Sequence, residues 1–486
     1  MTIHSTHFKA HSNLIGRAYP FEYLQKVGQA SEASILIMYG RRRVGKTTLL
    51  EQAFRQRNVL KFEGIEGQPE ARQQKHVLEQ LAEYAQDPVL AKVQPEHWLD
   101  VFKILAGYVQ KGTWTLYFEE IQWLANYGGN FIAEFKVIWD NALRHNRKLL
   151  VIFCGSSPSF VIHEILRSKA LYNRSQHEMF LPEFNLLETR EFLKKRSLSE
   201  VLDAYLTVGG IPEYLKWVNK NSSVFLSLCE RSFKPGGFFT HEYERIFTSN
   251  LAHNKHYQKI IEYLSKQRFA TREEIRKALK IESGGTLSLI LGDLEICGFV
   301  QKYTPYNLAS DSLLARYCIS DAYLQFYFKF IKPLQPDVDQ GRFEKHPSQA
   351  IKTENYSKWL GFAFERLCRK QHHLIAKILG FHGVHYRSGA FFNRAAQNQT
   401  TGYQCDLVFE RDDKVLTLCE VKYAKSKIGT GVIAELEAKR AHIPQGKRMS
   451  VQKVLITTEG ADPALLRKAY FDHVIVLEDL FAEKYY

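Results

Sequence analysis

Residues 40–47 read Gly40-Arg41-Arg42-Arg43-Val44-Gly45-Lys46-Thr47, a GxxxxGK[ST] pattern. It follows a short apolar run, Ser34-Ile35-Leu36-Ile37-Met38-Tyr39, whose composition predicts a buried strand. The next stretch, from Thr48 through Leu49 and Leu50 to Phe54, predicts an amphipathic helix. Strand, glycine-bounded loop and helix in this order form a phosphate cradle. The glycines let backbone N–H groups turn inward, and the helix N-terminus adds partial positive charge. Lys46 can reach β- and γ-phosphates while the Thr47 hydroxyl ligates Mg²⁺. Residues Gly40 to Thr48 are therefore expected to hold the phosphates of a nucleotide, ATP with Mg²⁺.

A chain of 486 residues is too long for one core and predicts about three domains. No apolar run approaches the roughly 20 residues needed to span a bilayer, and Met1 to His7 contain no apolar signal core. The seven cysteines are scattered and form no CxxC pair, which predicts a reducing, cytoplasmic setting. A net charge of +14 favours an anionic partner such as DNA, although the basic residues are spread out rather than run together.

A second predicted strand, Val59 to Glu63, precedes two helical stretches at about 69–86 and 96–110. Then Trp114-Thr115-Leu116-Tyr117-Phe118-Glu119-Glu120 reads as an apolar strand ending in two acids. In phosphate-loop enzymes the first acid supports Mg²⁺ and the second orients and deprotonates the attacking water. The first is usually Asp; here Glu119 is one methylene longer, with Glu120 as the base. A further strand, Lys148 to Ser157, ends in hydroxyls. Ser156 there fits either a sensor of the γ-phosphate or an N-cap for the helix starting near Pro158. Arg174, in Leu171-Tyr172-Asn173-Arg174, fits either an arginine finger or a surface arginine.

Four features together resemble the archaeal-type ATPases of the AAA-related STAND class, the signal-transduction ATPases with numerous domains. They are Ile15-Gly16-Arg17, the loop from Tyr39 to Thr47, Cys154-Gly155-Ser156-Ser157, and Gly209-Gly210-Ile211-Pro212-Glu213-Tyr214-Leu215. The resemblance covers residues 14 to 335. It implies that Gly16 and Arg17 flank the base and that Pro212, on a helical lid, touches the adenine and reports the nucleotide state. From the residues alone, Gly209, Gly210 and Pro212 need only mark a helix boundary.

Residues 256–303 read as three short helices followed by a β wing. The second helix opens with a Thr271-Arg272-Glu273-Glu274 capping box, and Ser283-Gly284-Gly285-Thr286 turns into the third, from Leu287 to Cys297. This is a winged helix-turn-helix pattern. Its third helix carries Asp293 and Glu295 and no Lys or Arg, so a structural or dimerising role fits better than reading a major groove.

After a polar, proline-containing stretch at 336–355, taken as a linker, residues 356–486 form a basic unit with 20 Lys plus Arg against 14 Asp plus Glu, a net of +6. Tyr403 to Phe409 predicts a strand, Arg411-Asp412-Asp413-Lys414 a tight turn, and Val415 to Lys422 the partner strand. Glu420 and Lys422 are two apart and share a face, to which the hairpin can bring Asp406. Two carboxylates would hold Mg²⁺ against a scissile phosphate, and Lys422 would stabilise or activate the water nucleophile. This is similar to the PD-(D/E)XK nuclease family. The likeness implies that an acid on the first helix, Glu365, joins the metal site, although Cys405 stands where that family has Pro. ATPases of the class above often end in such a domain. His382-x-x-His385 lacks a third ligand, and Lys425-Ser426-Lys427 fits a solvated turn as well as a DNA-backbone contact.

The chain is thus expected to be α/β and multidomain. The divisions are a parallel-sheet phosphate-loop ATPase core (1–182), a helical lid (183–250), a winged helix-turn-helix (251–335), a linker (336–355) and a restriction-endonuclease-like domain (356–486). The expected activity is ATP hydrolysis controlling metal-dependent DNA cleavage, with possible self-association through the ATPase or winged-helix part and no membrane contact. The competing expectation is a nucleotide-switched DNA- or protein-binding module whose nuclease-like domain is inactive.

Overall fold

A computed structural model describes residues 14–171, 174–251, 256–282, 285–303, 315–393, 403–441, 443 and 449–486. Met1 to His7, Tyr172, Asn173, Ser283 and Gly284, all used in the sequence reading, lie outside the described residues. The chain forms two compact units. One is built by residues up to Glu183 with a return at Ile246–His253, the other by Phe184–Arg245 with Asn254–Tyr486.

The first unit is a five-stranded parallel sheet in the order β2-β3-β4-β1-β5. Its strands are β1 (Ser34–Tyr39), β2 (Asn58–Glu63), β3 (Trp114–Glu119), β4 (Leu150–Gly155) and β5 (His177–Phe180). Every residue of β1 and β4 is buried, as expected for parallel strands covered by crossover helices on both faces. Rings of Phe102, Phe118, Phe131, Phe135 and Phe153 fill one face, with Phe135 and Phe153 centroids 4.9 Å apart. At the amino-terminal edge a residue with no local sequence signal, Arg57, ties strand starts together. Its guanidinium donates to Thr115 Oγ1 (2.8 Å) and to the carbonyls of Trp114 (2.7 Å), Lys148 (2.6 Å) and Gly28 (2.8 Å). Burial pulls its pKa down to about 10.

The second unit begins with the helices Leu186–Phe192, Leu198–Val208, Pro212–Val218 and Val224–Phe233. The helices His256–Ser265, Arg272–Leu279 and Thr286–Ile296 follow, with a small antiparallel sheet in the order β6-β8-β7 made of β6 (Ala270–Thr271), β7 (Val300–Tyr303) and β8 (Arg316–Ile319). The Thr271–Glu274 capping box forms as expected. The stretch read as a linker is packed rather than loose: Val338 and Ile351 are buried, and Phe343 meets the Phe233 ring at 6.4 Å. Its apolar residues every few positions override its polar composition.

The long helix Thr353–Lys370 leads into a mixed sheet ordered β13-β12-β11-β10-β9. Its strands are β9 (Tyr386–Asn393), β10 (Tyr403–Arg411), β11 (Val415–Lys422), β12 (Ser450–Thr457) and β13 (His473–Ile475). β9, β10 and β11 are antiparallel neighbours, while β12 and β13 join in parallel after the Gly431–Arg440 helix crosses over. No described helix is long and apolar enough to cross a membrane.

The Gly209-Gly210-Ile211-Pro212 segment marks a helix boundary. Gly209 ends the Leu198–Val208 helix at φ 74°, and Pro212 takes the first position of the next helix, where a missing N–H costs nothing. Gly210 accepts from Phe184 N–H (2.8 Å), and a Cβ there would lie 2.0 Å from the Phe184 carbonyl oxygen. Gly210→Ala is expected to destabilise the second unit by about 1–3 kcal/mol in urea denaturation. A change below a few tenths would show that the chain reroutes without strain.

Candidate functional site

In a parallel sheet the carboxyl ends of the strands share one edge. There β4 separates β1 from β3, so the loop after β1, the acids ending β3 and the serines after β4 stand side by side. Gly45 adopts φ 92°, which an L side chain resists, and it caps the helix Lys46–Ala53. Lys46 Nζ donates to the loop's own carbonyls, Gly40 O and Arg41 O, both at 2.9 Å. Arg42 lies 6.0 Å from the Trp123 ring. Arg17, itself at φ 62° and buried, donates to Val44 O (3.2 Å) and Pro182 O (2.8 Å). It therefore braces the loop from beneath, directly after Gly16.

Glu119 is buried with its two oxygens divided. One accepts from the Thr47 hydroxyl, and the other meets Lys61 Nζ at 2.5 Å, with Glu51 a further 3.5 Å from that ammonium. Burial, and next the charge of Glu119, push the Glu63 carboxyl up, which marks this edge as crowded with acid. Thr47 and Glu119 offer oxygen donors in direct contact, the type a hard divalent cation prefers. Glu120 sits at φ 51°, a turn that swings it away from Glu119 and toward β4. Its Oε2 accepts from Ser156 Oγ (2.6 Å), Ser156 N (3.2 Å) and Gln122 Nε2 (2.7 Å). Ser156 is thus bound to Glu120, and the N-cap position of the following helix belongs to Ser157 instead.

Arg174 forms a two-armed ion pair with Asp140, both arms 2.9 Å, before the start of β5. That is the edge of the sheet opposite the phosphate loop, so the site of its own domain is not where it points. Pro212 lies in the second unit.

In the second unit the β10–β11 register ends at Leu407 with Cys419, and the next residues, Asp406 and Glu420, both come within reach of Lys439. Both are buried, Glu420 completely. Burial first, then the charge of Glu365 beside Asp406 and of Asp406 beside Glu420, raises both pKa values. Their countercharge comes from Lys439 on the Gly431–Arg440 helix, whose Nζ touches both Glu420 oxygens at 2.6 Å and lies 3.9 Å from Asp406. Asp406 also accepts from Val421 N (3.1 Å). Lys422 is shared between Glu420 (3.0 Å) and Glu435 (2.5 Å). Glu365 pairs with Arg369 at 3.8 Å, and Arg369 donates to the Asp406 carbonyl (3.2 Å). Among the described residues no group of three or more His, Cys, Asp or Glu side chains is placed to hold a metal. The expected set of Glu365, Asp406 and Glu420 is therefore a carboxylate pair with a third acid nearby, because Lys439 and Arg369 draw the acids to themselves. His385 faces Asp412 (3.2 Å), away from these groups.

Sequence reasoning missed Lys61, Gln122 and Lys439. Alternation in Val59-Leu60-Lys61-Phe62-Glu63 does place Lys61 and Glu63 on one face. Lys439, 19 residues beyond Glu420 and on another element, left no local signal.

Residues 15–218 match the family described as an ATPase domain predominantly from Archaea. An uncharacterized protein of Methanocaldococcus jannaschii is 24% identical over 422 residues, covering 85% of this chain and 88% of its own. Among solved structures, the Walker-type ATPase of Pyrococcus abyssi is 16% identical with a TM-score of 0.47, over 67% of this chain and 100% of that one. The Aeropyrum pernix ORC2 protein in ADPNP–ADP complexes is 13% identical with a TM-score of 0.45, over 71% and 100%. The phosphate loop and its acids lie within the stretch that matches this ATPase-domain family.

Lys61→Met leaves Glu119 buried with one oxygen uncompensated. A stability loss of about 1–3 kcal/mol is expected in chemical denaturation, between the values for exposed and fully buried pairs. A loss under 0.5 kcal/mol would show that Glu119 does not depend on Lys61.

Proposed function

We propose that the ATPase domain is a regulatory machine that hydrolyses ATP and controls a C-terminal, metal-dependent DNA endonuclease-like domain. On this reading Gly40 to Thr48 bind the nucleotide phosphates, and Lys46 leaves its two loop carbonyls to draw off phosphate charge. Thr47 and Glu119 would hold Mg²⁺, which supplies charge neutralisation when bound. Glu120 accepts the proton of the attacking water, its carboxylate aimed by Ser156 and Gln122. Three hydrogen bonds onto one Glu120 oxygen carry the hydrolytic reading, since they leave the other oxygen to meet water. By resemblance, Gly16 and Arg17 flank the base and Pro212 reports the nucleotide state. Arg174 would serve only a neighbouring copy, as a finger released from Asp140.

In the C-terminal domain the carboxylates of Asp406 and Glu420 support the nuclease reading. They would hold a divalent ion, which polarises a phosphodiester when bound, with Glu365 in support. Lys422 lies on the same face to orient water, and the basic composition suits DNA. The helix–strand–helix–helix–strand–strand order of residues 256–319 supports a winged helix. Its acids already serve inside it: Asp293 accepts from Tyr257 (2.6 Å) and Glu295 from Lys302 N (3.2 Å), which favours a structural or self-associating role.

One observation favours a second reading, a nucleotide-switched binding module with an inactive nuclease-like domain. Lys439 already neutralises both carboxylates, as a cation would.

Plasmid cleavage with Mg²⁺ or Mn²⁺, with and without ATP, separates the two readings. Wild type is expected to nick DNA and Asp406→Ala to lose cleavage; cleavage indifferent to Asp406→Ala would exclude the nuclease assignment. Independently, Glu120→Gln is expected to lower ATPase kcat by about a hundredfold or more while equilibrium ATP binding persists. Undiminished turnover would remove Glu120 from the role of base.

A further inference from the structure

The Leu198–Val208 helix ends directly in Gly209-Gly210-Ile211-Pro212, the segment that the resemblance makes a nucleotide sensor. One of its faces is hydrogen-bonded to the residue that follows the Glu420 strand and to the helix that bears Glu365. Tyr423, the residue after Lys422 at the end of β11, donates from its hydroxyl to Asp203 Oδ1 at 2.6 Å. One turn later, Thr207 Oγ1 and the Tyr356 hydroxyl are 2.6 Å apart, and Tyr356 belongs to the Thr353–Lys370 helix that bears Glu365. The two anchors are themselves joined, since the Phe364 ring of that helix meets the Tyr423 ring edge-on at 6.2 Å. Beyond Tyr423 the chain is stapled to the end of β12, with Ala424 N donating to Thr458 Oγ1 (2.8 Å) and Thr458 Oγ1 donating back to Ala424 O (2.8 Å).

These bonds are unusual in kind. Burial pushes the Asp203 carboxyl up to about 6, while the Tyr423 hydrogen bond pulls it back. The half-buried Asp203 and the buried Thr207 are the two polar positions by which this helix holds Tyr423 and Tyr356. The neighbouring positions Val201, Leu202, Ala204, Tyr205, Leu206 and Val208 are all buried and make the helix a stiff body. A rotation or shift at its carboxyl end is passed to Asp203 and Thr207 within two turns.

We propose that the Leu198–Val208 helix positions the Asp406–Glu420–Lys422 site through Asp203–Tyr423 and Thr207–Tyr356, and carries the state of the Gly209–Pro212 segment to it. Asp203 and Tyr423 are positioning residues, acting through the end of β11. The inference rests on the reading above, in which that segment senses nucleotide.

Hydrogen exchange on the full-length protein, with and without a non-hydrolysable ATP analogue, tests it. In wild type, nucleotide is expected to change exchange at 209–212 and also at 421–424. Tyr423→Phe should keep the change at 209–212, lose it at 421–424, and raise nucleotide-free exchange at 421–424 by about fivefold, the worth of one hydrogen bond. Asp203→Asn retains an acceptor for Tyr423 and should behave as wild type, which a general loss of packing would not allow. If Tyr423→Phe leaves exchange at 421–424 unchanged, or if Asp203→Asn is as disruptive as Tyr423→Phe, the strap is overturned. If wild type binds the analogue and 209–212 responds but 421–424 does not, transmission is overturned while the sensor stands. If 209–212 itself does not respond, the sensor reading fails and transmission with it, and the nucleotide-free Tyr423→Phe comparison still decides the positioning role.

Discussion

Glu119 ends β3 with its two oxygens divided between the Thr47 hydroxyl and the Lys61 ammonium, and the nucleotide edge is organised around that division. A buried carboxylate must be matched, and its partners come from two elements, the first turn of the helix Lys46–Ala53 and the strand β2. Thr47 fixes the start of the helix after the phosphate loop, and Lys61 fixes β2. With Glu119 held, the chain turns through a left-handed residue at Glu120, whose carboxylate crosses to Ser156 at the end of β4. The extra methylene of Glu119, relative to the usual aspartate, gives the reach needed to serve Thr47 and Lys61 together.

The C-terminal sheet solves a similar problem with a different supply of charge. Asp406 and Glu420 come from the two strands of an antiparallel pair, where like charges repel. The strand pairing survives because Lys439, delivered by the crossover helix between β11 and β12, touches both. The same ammonium supplies the countercharge that two buried acids require. The two edges therefore share a design, in which acids are gathered by strands and a lysine from another element pairs with them.

Much of this was legible along the chain. The phosphate loop, the acid pair ending β3, the hydroxyls ending β4, the Thr271 capping box and the β10–β11 hairpin all depend on neighbours within a few residues, and each formed where its pattern placed it. The stretch at 336–355 misled because composition reports average polarity. The burial of Val338 and Ile351 depends on surfaces more than a hundred residues away in sequence, such as Phe233. Ser156 allowed two roles on local grounds, and only the adjacency of β3 and β4 joined it to Glu120. Arg174 was ambiguous for a similar reason: a residue just before a strand can occupy either edge until the direction of the sheet is known.

The sequence alone determined which groups are available: a glycine-bounded phosphate loop, two acids ending a strand, and a carboxylate pair with a lysine on its face. These follow from residue type and from the fixed periods of loop, helix and strand. Tertiary structure decided which groups meet. The pairing of Lys61 with Glu119, Lys439 with Glu420, and Tyr423 with Asp203 joins residues 58, 19 and 220 positions apart. Backbone periodicity carries no information over such distances, because those contacts are set by how strands order in a sheet and helices pack upon one another.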